Sequence, residues 1–161
     1  EFGSEPVGGR TDEYLSFITQ ELKPFIDKKY RSYKNAENTA IMGSSFGGMC
    51  SAYAAVTQQK YFSRFGCLSN AYYVVQKEME ELIKDTDFSG IKKLYLDTGT
   101  KETSRAIEQE MYLESNKKIF NLFNEHLNSD KIKFSIIENG IHSEEAWRER
   151  LPDIIQYLFK D

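Results

Sequence analysis

Short apolar runs alternate along the chain with longer segments whose apolar residues recur at helical spacing. The runs predict buried strands at Thr39–Met42, Phe65–Ser69, Lys93–Leu96 and Lys133–Ile137. The segments predict helices at Tyr14–Ile26, Gly47–Gln59, Val74–Lys84, Ser104–Leu127 and Glu144–Phe159. We expect Pro24 to kink or end the first helix and Pro152 to kink the last. Strands that alternate with helices form βαβ units, so the pattern predicts an α/β fold, a three-layer α/β/α sandwich around a mostly parallel sheet.

The carboxyl ends of the predicted strands meet at one edge of the sheet, where the ligand sites of such folds lie. Four segments follow the strands directly: Gly43–Gly48, Ser69–Tyr73, Asp97–Glu102 and Asn139–His142. Three of these segments carry a serine, a carboxylate and a histidine, which are residue types that act together in nucleophilic catalysis. The candidate chemistry of the chain is therefore concentrated at this edge.

The first segment contains the pattern Gly-x-Ser-x-Gly with Ser45 at its centre. A strand that turns sharply into a helix holds such a serine in a strained conformation, and small flanking residues avoid a collision. The turn would point the Ser45 hydroxyl out of the sheet and place the Phe46 N–H at a helix N-terminus, where it suits an oxyanion. Ordinary Gly/Ser turns share the pattern, but the predicted strand and helix favour Ser45 as a nucleophile, with Phe46 and Ser44 as oxyanion or substrate-binding residues.

Two histidines are candidates for the base that a serine nucleophile needs. His142 follows a predicted strand, where a neutral imidazole can accept the serine proton and return it to a leaving group. His126 lies within a predicted helix, a place more typical of a partly exposed helix residue. The position at the functional edge of the sheet favours His142.

Two carboxylates after the third predicted strand are candidates for the acid that orients the imidazole. Asp97 lies at the strand end, where backbone N–H groups could hold it as part of a turn, and Glu102 lies further into the loop with more reach. The spacing does not decide between them. With either acid, the chain order is serine, acid, histidine, which is the order found in α/β-hydrolases.

Aromatic residues near the same edge have two interpretations. Tyr72 and Tyr73 follow the second predicted strand and could line a substrate pocket or pack in the core, and the sequence favours neither. Trp147 lies on the helix after His142, where we expect it to be a packing anchor.

Composition argues against several other classes of protein. The 161 residues carry 21 Lys and Arg against 25 Asp and Glu, a net charge of −4, whereas nucleic-acid and anionic-membrane binders usually have a basic excess. No apolar run is long enough to span a membrane and the N-terminus has no signal-peptide core, so we expect a cytoplasmic protein. Cys50 and Cys67 are expected to be reduced core thiols, and no residue spacing indicates a metal site or a cofactor.

Several motifs together resemble one family. These are Gly43–Gly48 (GSSFGG), Leu94–Glu102 (LYLDTGTKE) and Gly140–Leu151 (GIHSEEAWRERL), with Glu21–Tyr30 similar to the helix before the nucleophile strand. Over nearly its whole length the chain resembles the esterase D and enterochelin-esterase-like esterases. The resemblance implies an α/β-hydrolase fold and cofactor-free hydrolysis of a small-molecule ester, such as a siderophore lactone or a small acyl ester, through a serine nucleophile. It also places the acid on Glu102 first and on Asp97 second.

The number of predicted strands adds a further expectation. Four strands are visible, whereas a complete α/β-hydrolase has about eight, and its second oxyanion N–H comes from a loop after an earlier strand. We therefore expect residues 11–161 to be the C-terminal part of such a domain, which would be a poor catalyst by itself. Residues 1–10 would be an N-terminal loop, or at Glu1–Ser4 the remnant of an expression vector. The strand at Thr39–Met42 would then have an open edge, which favours a homo-oligomer.

Two other functions stay open at this point. One is a hydrolase-like module that binds or assembles without catalysis, which a fluorophosphonate probe would leave unlabelled. The other is acyl transfer to an alcohol by the same residues, which the products formed with added alcohols would reveal.

Overall fold

The computed structural model describes residues 9–160 and confirms the predicted α/β fold class. Its helices are α1 (Thr11–Phe17), α2 (Lys23–Lys29), α3 (Phe46–Thr57), α4 (Gln76–Lys84), α5 (Ala106–His126) and α6 (Glu144–Phe159). Its strands are β1 (Ala40–Ser44), β2 (Arg64–Leu68), β3 (Lys93–Lys101) and β4 (Ile132–Ile141). A π-helical turn lies at Ile18–Leu22, and 3-10 turns lie at Ala36–Asn38 and Tyr72–Val74. The two interpretations of Glu1–Ser4 concern residues outside the described range.

Residues 9–34 form a unit of their own that contains α1 and α2. The Lys23 ammonium donates to the Asp27 carboxylate at 2.6 Å and to the Lys34 carbonyl at 2.8 Å, and it thereby ties α2 to the segment that follows. The expectation that Pro24 kinks or ends the first helix is wrong. The π-helical turn precedes α2, and Pro24 lies in the first turn of α2, a position that proline tolerates.

In the second unit, residues 35–160, the four strands form one parallel sheet in the order β1-β2-β3-β4. Each strand pairs with the next one along the chain, and the connections contain α3, α4 and α5. The register places Gly43 beside Cys67 and Cys67 beside Leu96. The carboxyl ends of β1 and β2 therefore lie beside the middle of the longer strand β3.

The strand β1 pairs with β2 alone among the strands of residues 9–160, so it forms one edge of the described sheet. All five of its residues are half-buried. An open strand edge can pair with another chain. Association of two copies through β1 stays a prediction.

Helices cover both faces of the sheet and make the three predicted layers. The Cys67 thiol contacts Ser51 of α3, whereas the next residue, Leu68, packs with Ile154 and Leu158 of α6. Because successive side chains of a strand point to opposite faces, α3 and α6 lie on opposite sides of the sheet. Burial raises the pKa of the Cys67 thiol to about 12, which keeps this core thiol protonated and unreactive.

The third and fourth strands extend well beyond their predicted ends. β3 continues to Lys101 and β4 to Ile141, through glycine-containing stretches that the sequence alone indicates as turns. The two backbones approach closely there: a Cβ built on Gly99 would lie 2.2 Å from the carbonyl oxygen of Gly140. These glycines are therefore required by the pairing of β3 with β4, which carries both strands past the ends of β1 and β2.

We expect Gly99→Ala to lower the free energy of unfolding by about 1–3 kcal/mol, because the added methyl group would overlap the Gly140 carbonyl. Urea unfolding followed by circular dichroism measures this change. Gly47→Ala is the matched control, since a Cβ there would meet no atom within 4 Å and alanine has the higher helix propensity. Equal stability of Gly99→Ala and the wild type would contradict the close pairing of β3 and β4.

Candidate active site

Ser45 lies at the turn between β1 and α3, in a backbone conformation that few residues adopt. Its φ is 55° and its ψ is −124°, and its N–H donates to the Leu68 carbonyl at 2.8 Å. A Cβ on Gly43 would lie 2.5 Å from the backbone of Gly47, so position 43 requires glycine. The expectation that both flanking positions must be small is wrong for Gly47, where a Cβ would meet nothing within 4 Å. The strained turn fixes the direction of the Ser45 side chain.

The helix N-terminus beside Ser45 provides backbone hydrogen-bond donors. Phe46 is the first residue of α3, and the first N–H groups of a helix have no acceptor within the helix. These groups carry partial positive charge, which suits a bound or developing anion. The Phe46 side chain is 75% exposed next to Ser45, and Ser44, the last residue of β1, is half-buried.

Ser45, His142 and Glu102 lie in one hydrogen-bonded series. His142 Nε2 is 2.9 Å from the Ser45 Oγ, and His142 Nδ1 is 2.7 Å from Oε2 of Glu102. Three separate segments supply these groups: the turn after β1, the residue after β3 and the residue after β4. When the imidazole carries its proton on Nδ1, the lone pair on Nε2 can accept the proton of the serine hydroxyl.

Glu102 is buried beside His142 and is held as a carboxylate. Burial by itself would raise the pKa of Glu102, but hydrogen bonds from His142, from Ser69 and from the Gly99 N–H outweigh it. The pKa therefore lies below its ordinary value of 4.5. The Gly99 N–H donates to Oε1 at 2.5 Å, which leaves Oε2 to face the imidazole. Glu102 is thus ionised at neutral pH, as an acceptor for the Nδ1 proton must be.

Asp97, the other carboxylate candidate, is not brought to His142. Arg150 donates to its two oxygens at 2.7 and 3.1 Å, and the Ser69 N–H and the Tyr95 hydroxyl donate to them at 3.1 and 3.2 Å. Burial raises the pKa of Asp97 despite these hydrogen bonds. Of the two candidate acids, Glu102 contacts the histidine, whereas Asp97 is paired with Arg150.

Two aromatic residues surround His142. The Trp147 ring meets the imidazole edge-on, with ring centroids 4.8 Å apart, and its indole N–H donates to the Ser69 Oγ at 2.9 Å. Tyr112, on α5, lies with its ring centroid 5.6 Å from that of His142. Trp147 is therefore more than the packing anchor expected from the sequence. Its place in the first turn of the helix after His142 is a signal that could have indicated this contact, whereas nothing in the sequence marks Tyr112.

The remaining sequence candidates have different surroundings. Tyr72 is fully buried, and burial holds the pKa of its phenol well above the usual range, so it is a core residue and does not line a pocket. Tyr73 is partly exposed and packs edge-on against Tyr112, with ring centroids 5.2 Å apart. His126 is the last residue of α5, at the opposite end of that helix from Tyr112. The structure thus brings Tyr73, but neither Tyr72 nor His126, toward the candidate site.

Metal-ligand clusters and membrane-spanning helices are absent from the part of the chain that the structure describes. Among residues 9–160, no three His, Cys, Asp or Glu side chains are grouped as a metal ion would require. No helix within the same range combines the length and the apolar character needed to cross a membrane.

The fold and the site together define a class of protein. A parallel sheet, a serine on a strained strand-to-helix turn, and a carboxylate and a histidine after later strands are the arrangement of the α/β-hydrolase fold. A family model described as "Putative esterase" matches residues 4–158, and the chain belongs to this family.

Similar proteins are longer than this chain. The protein YbbA of Bacillus subtilis (strain 168) is 20% identical over 154 residues, which are 94% of this chain and 61% of YbbA. An endo-1,4-beta-xylanase/feruloyl esterase of Xylanibacter ruminicola is 29% identical over 160 residues, which are 99% of this chain and 19% of that protein. The enterobactin esterase FES from Shigella flexneri has the same fold, with a TM-score of 0.74 at 21% identity over 96% of this chain and 39% of FES. The chain spans less than two thirds of each.

We expect Glu102→Gln to remove a pH-dependent part of the stability. Because the pKa of Glu102 is lowered in the folded protein, its ionised form stabilises the fold above the ordinary pKa of 4.5, and this stability is lost as the pH falls through the folded pKa. The wild type should therefore exceed Glu102→Gln in stability at about pH 7, by a margin that shrinks between about pH 5 and pH 3. Urea unfolding across that range measures the margin.

The matched control for this experiment is Glu138→Gln, which removes one negative charge from an exposed position on β4. A margin between the wild type and Glu102→Gln that stays constant over the same pH range would contradict the lowered pKa of Glu102.

Proposed function

We propose that the protein hydrolyses carboxylic esters with Ser45 as the nucleophile. The observation that carries this proposal is the series from Ser45 through His142 to Glu102, with contacts of 2.9 and 2.7 Å. Membership of an esterase family supports the same reaction, as does similarity to proteins named as enterobactin and feruloyl esterases.

In the first half of the proposed reaction, the Ser45 Oγ attacks the carbonyl carbon of the ester while His142 Nε2 accepts the serine proton. The electron pair of the carbonyl bond moves to the oxygen, and the Phe46 N–H donates a hydrogen bond to this oxyanion. When the carbonyl re-forms, the bond to the alcohol oxygen breaks. His142 gives its proton to the departing alcohol, and an acyl group stays on Ser45.

In the second half, water repeats the attack on the acyl group. His142 accepts a proton from the water as the new carbon–oxygen bond forms, and the oxyanion again faces the Phe46 N–H. The bond to the Ser45 Oγ then breaks, and His142 returns the proton to that oxygen. The carboxylic acid leaves and the site is restored, without any cofactor.

Glu102 determines which nitrogen of His142 can act as the base. Its Oε2 accepts the Nδ1 proton at 2.7 Å, so the lone pair of the neutral imidazole is on Nε2, which faces Ser45. As the imidazole becomes positively charged during each half-reaction, the ionised carboxylate stabilises that charge. The lowered pKa of Glu102 keeps this acceptor available at neutral pH.

The surroundings of the series favour a substrate that carries a planar aromatic group, such as a feruloyl ester or a catecholate siderophore lactone. The exposed Phe46 ring lies beside Ser45, and Tyr112 lies beside His142 with Tyr73 packed against it. Aromatic side chains of this kind can bind a planar group on its faces or edges. The feruloyl and enterobactin esterases among the similar proteins fit such a substrate.

A fluorophosphonate probe tests the proposed nucleophile in the intact chain, because it reacts with a serine that a neighbouring base activates. We expect intact-mass and peptide analysis to find one label on the peptide that contains Ser45. Ser45→Ala should abolish the labelling, and His142→Gln should slow it by at least about 100-fold, since the hydroxyl then lacks its base.

The second histidine supplies the matched control. His126→Gln removes the same kind of side chain from the far end of α5, and it should label at the wild-type rate. Labelling that persists in Ser45→Ala, or that is absent from the wild-type chain, would contradict the proposed function.

A further inference from the structure

His142 lies in the two-residue connection between β4 and α6, and hydrogen bonds hold the backbone beside it. The Ser143 N–H donates to the Ile141 carbonyl at 3.0 Å, and the Ser143 Oγ accepts from the Ala146 N–H at 3.2 Å as the N-cap of α6. These contacts fix where the side chain of His142 begins. The plane of an imidazole ring is only weakly restricted by its own torsions, so the groups around the ring must determine its orientation.

Two kinds of contact surround the imidazole. Its nitrogens face Glu102 and Ser45, and the indole of Trp147 lies against the ring with centroids 4.8 Å apart and an angle of 85° between the planes. An edge-to-face aromatic pair in this geometry is attractive beyond the area that it buries. The indole therefore favours the orientation in which Nε2 of His142 faces the Ser45 hydroxyl.

The indole is itself held in place by a buried hydroxyl group. Trp147 Nε1 donates to the Ser69 Oγ at 2.9 Å, and Ser69, the residue directly after β2, is fully buried. The Ser69 backbone is fixed in turn, because its N–H donates to the Asp97 carbonyl at 3.0 Å. The indole ring cannot shift along α6 or turn over without losing its hydrogen bond to Ser69.

A buried ion pair fixes the helix that carries Trp147. Arg150 lies about one turn further along α6, and its Nε and Nη2 donate to the two oxygens of Asp97 at 2.7 and 3.1 Å. The Nη2 atom also donates to the Ser69 Oγ at 3.0 Å, so this oxygen accepts from both Trp147 and Arg150. A two-pronged contact between a guanidinium and a carboxylate has a defined geometry. Arg150 thereby ties α6 to the ends of β2 and β3.

We propose that Trp147 is a positioning residue for His142, placed against the imidazole by Ser69 and by the pair of Asp97 and Arg150. The catalytic meaning of this inference rests on the proposed function. Trp147 takes no part in the transfer of the proton or of the acyl group, since its one hydrogen-bonding group donates to Ser69. Asp97, which does not contact the histidine, acts on it through α6.

A second aromatic residue on α6 separates this role from ordinary packing. Trp147 and Tyr157 both pack against one buried cluster, and the Tyr157 ring lies beside Tyr95 with centroids 6.0 Å apart. The cluster consists of Leu68, Tyr95, Ile154 and Leu158. Leucine at either position removes an aromatic ring and keeps an apolar side chain. Only Trp147→Leu removes the ring that lies against His142, so Tyr157→Leu is its matched control.

The first experiment needs no turnover. Three-bond NMR couplings from the backbone nitrogen and carbonyl carbon to Cγ of His142 report the rotamer populations of its side chain, and His142→Gln identifies the signals. We expect the ratio of the main rotamer to the others to fall about fivefold in Trp147→Leu, which corresponds to the loss of one edge-to-face aromatic pair. The ratio should stay within about twofold of the wild type in Tyr157→Leu.

A conservative variant keeps the test decisive if Trp147→Leu does not fold. Trp147→Phe retains an aromatic ring on α6 but has no N–H for Ser69. We expect its rotamer ratio for His142 to lie between those of the wild type and Trp147→Leu, about twofold to threefold below the wild type. A wild-type ratio in both Trp147 variants, or an equal fall in Tyr157→Leu, would overturn the proposal.

The second experiment separates positioning of the base from binding of the reagent. We expect the limiting rate of fluorophosphonate labelling of Ser45 to fall about fivefold in Trp147→Leu, while the half-saturating probe concentration stays within about twofold of the wild type. A change confined to the half-saturating concentration would overturn the proposal, because Trp147 would then bind the probe. If the wild type is not labelled at all, the proposed function fails, while the rotamer ratio still decides whether Trp147 positions His142.

Discussion

The pairing of β3 with β4 beyond the rest of the sheet is the constraint on which the candidate site depends. Gly99 and Gly140 let the two backbones approach where any Cβ on Gly99 would overlap the opposite strand. After an irregularity in the register, Lys101 pairs with Ile141, and Glu102 and His142 are the residues that directly follow the two strands. The 2.7 Å contact between these two side chains is therefore set by the register of two strands and not by a flexible loop. Ser45 comes to the same place through an independent constraint, the strained turn after β1.

The pKa values of two carboxylates in this region are shifted in opposite directions because their surroundings differ. Burial raises the pKa of Asp97, although Arg150 donates to both of its oxygens, whereas the hydrogen bonds to Glu102 outweigh its burial and lower its pKa. Environments that separate two acids in this way commonly separate their roles. Asp97 organises the interior next to the site through Arg150 and Ser69, and Glu102 faces the histidine. The chemistry proposed for Ser45 thus depends on two carboxylates that are buried.

Much of this arrangement could be predicted from local sequence. The Gly-x-Ser-x-Gly pattern marks Ser45 because the turn depends on Gly43 only two residues away, and the bounds of α6 agree with the apolar spacing of its sequence. The four strands and their parallel order follow from the alternation with helices. The family resemblance placed the acid on Glu102 before Asp97, and the structure places Glu102 beside His142.

Other features depend on contacts between segments far apart in the chain, so the sequence alone could not reveal them. In the sequence, Gly99 and Gly140 indicate turns. In the fold, the lack of a side chain at each of them lets the two paired strands approach closely. Tyr72 and Tyr73 are neighbours in sequence, yet one is buried in the core and the other packs beside Tyr112. The hydrogen bond from Arg150 to the Ser69 hydroxyl joins α6 to the end of β2 and exists only once these elements have packed together.

Ser45, activated by His142 and Glu102, is proposed to form a covalent bond with the acyl group of an ester. The most direct test is mass spectrometry of the intact chain, quenched with acid during incubation with p-nitrophenyl acetate, followed by peptide mapping. We expect an added acetyl group on Ser45 that disappears when fresh ester is withheld. An unmodified Ser45 throughout the incubation would contradict it.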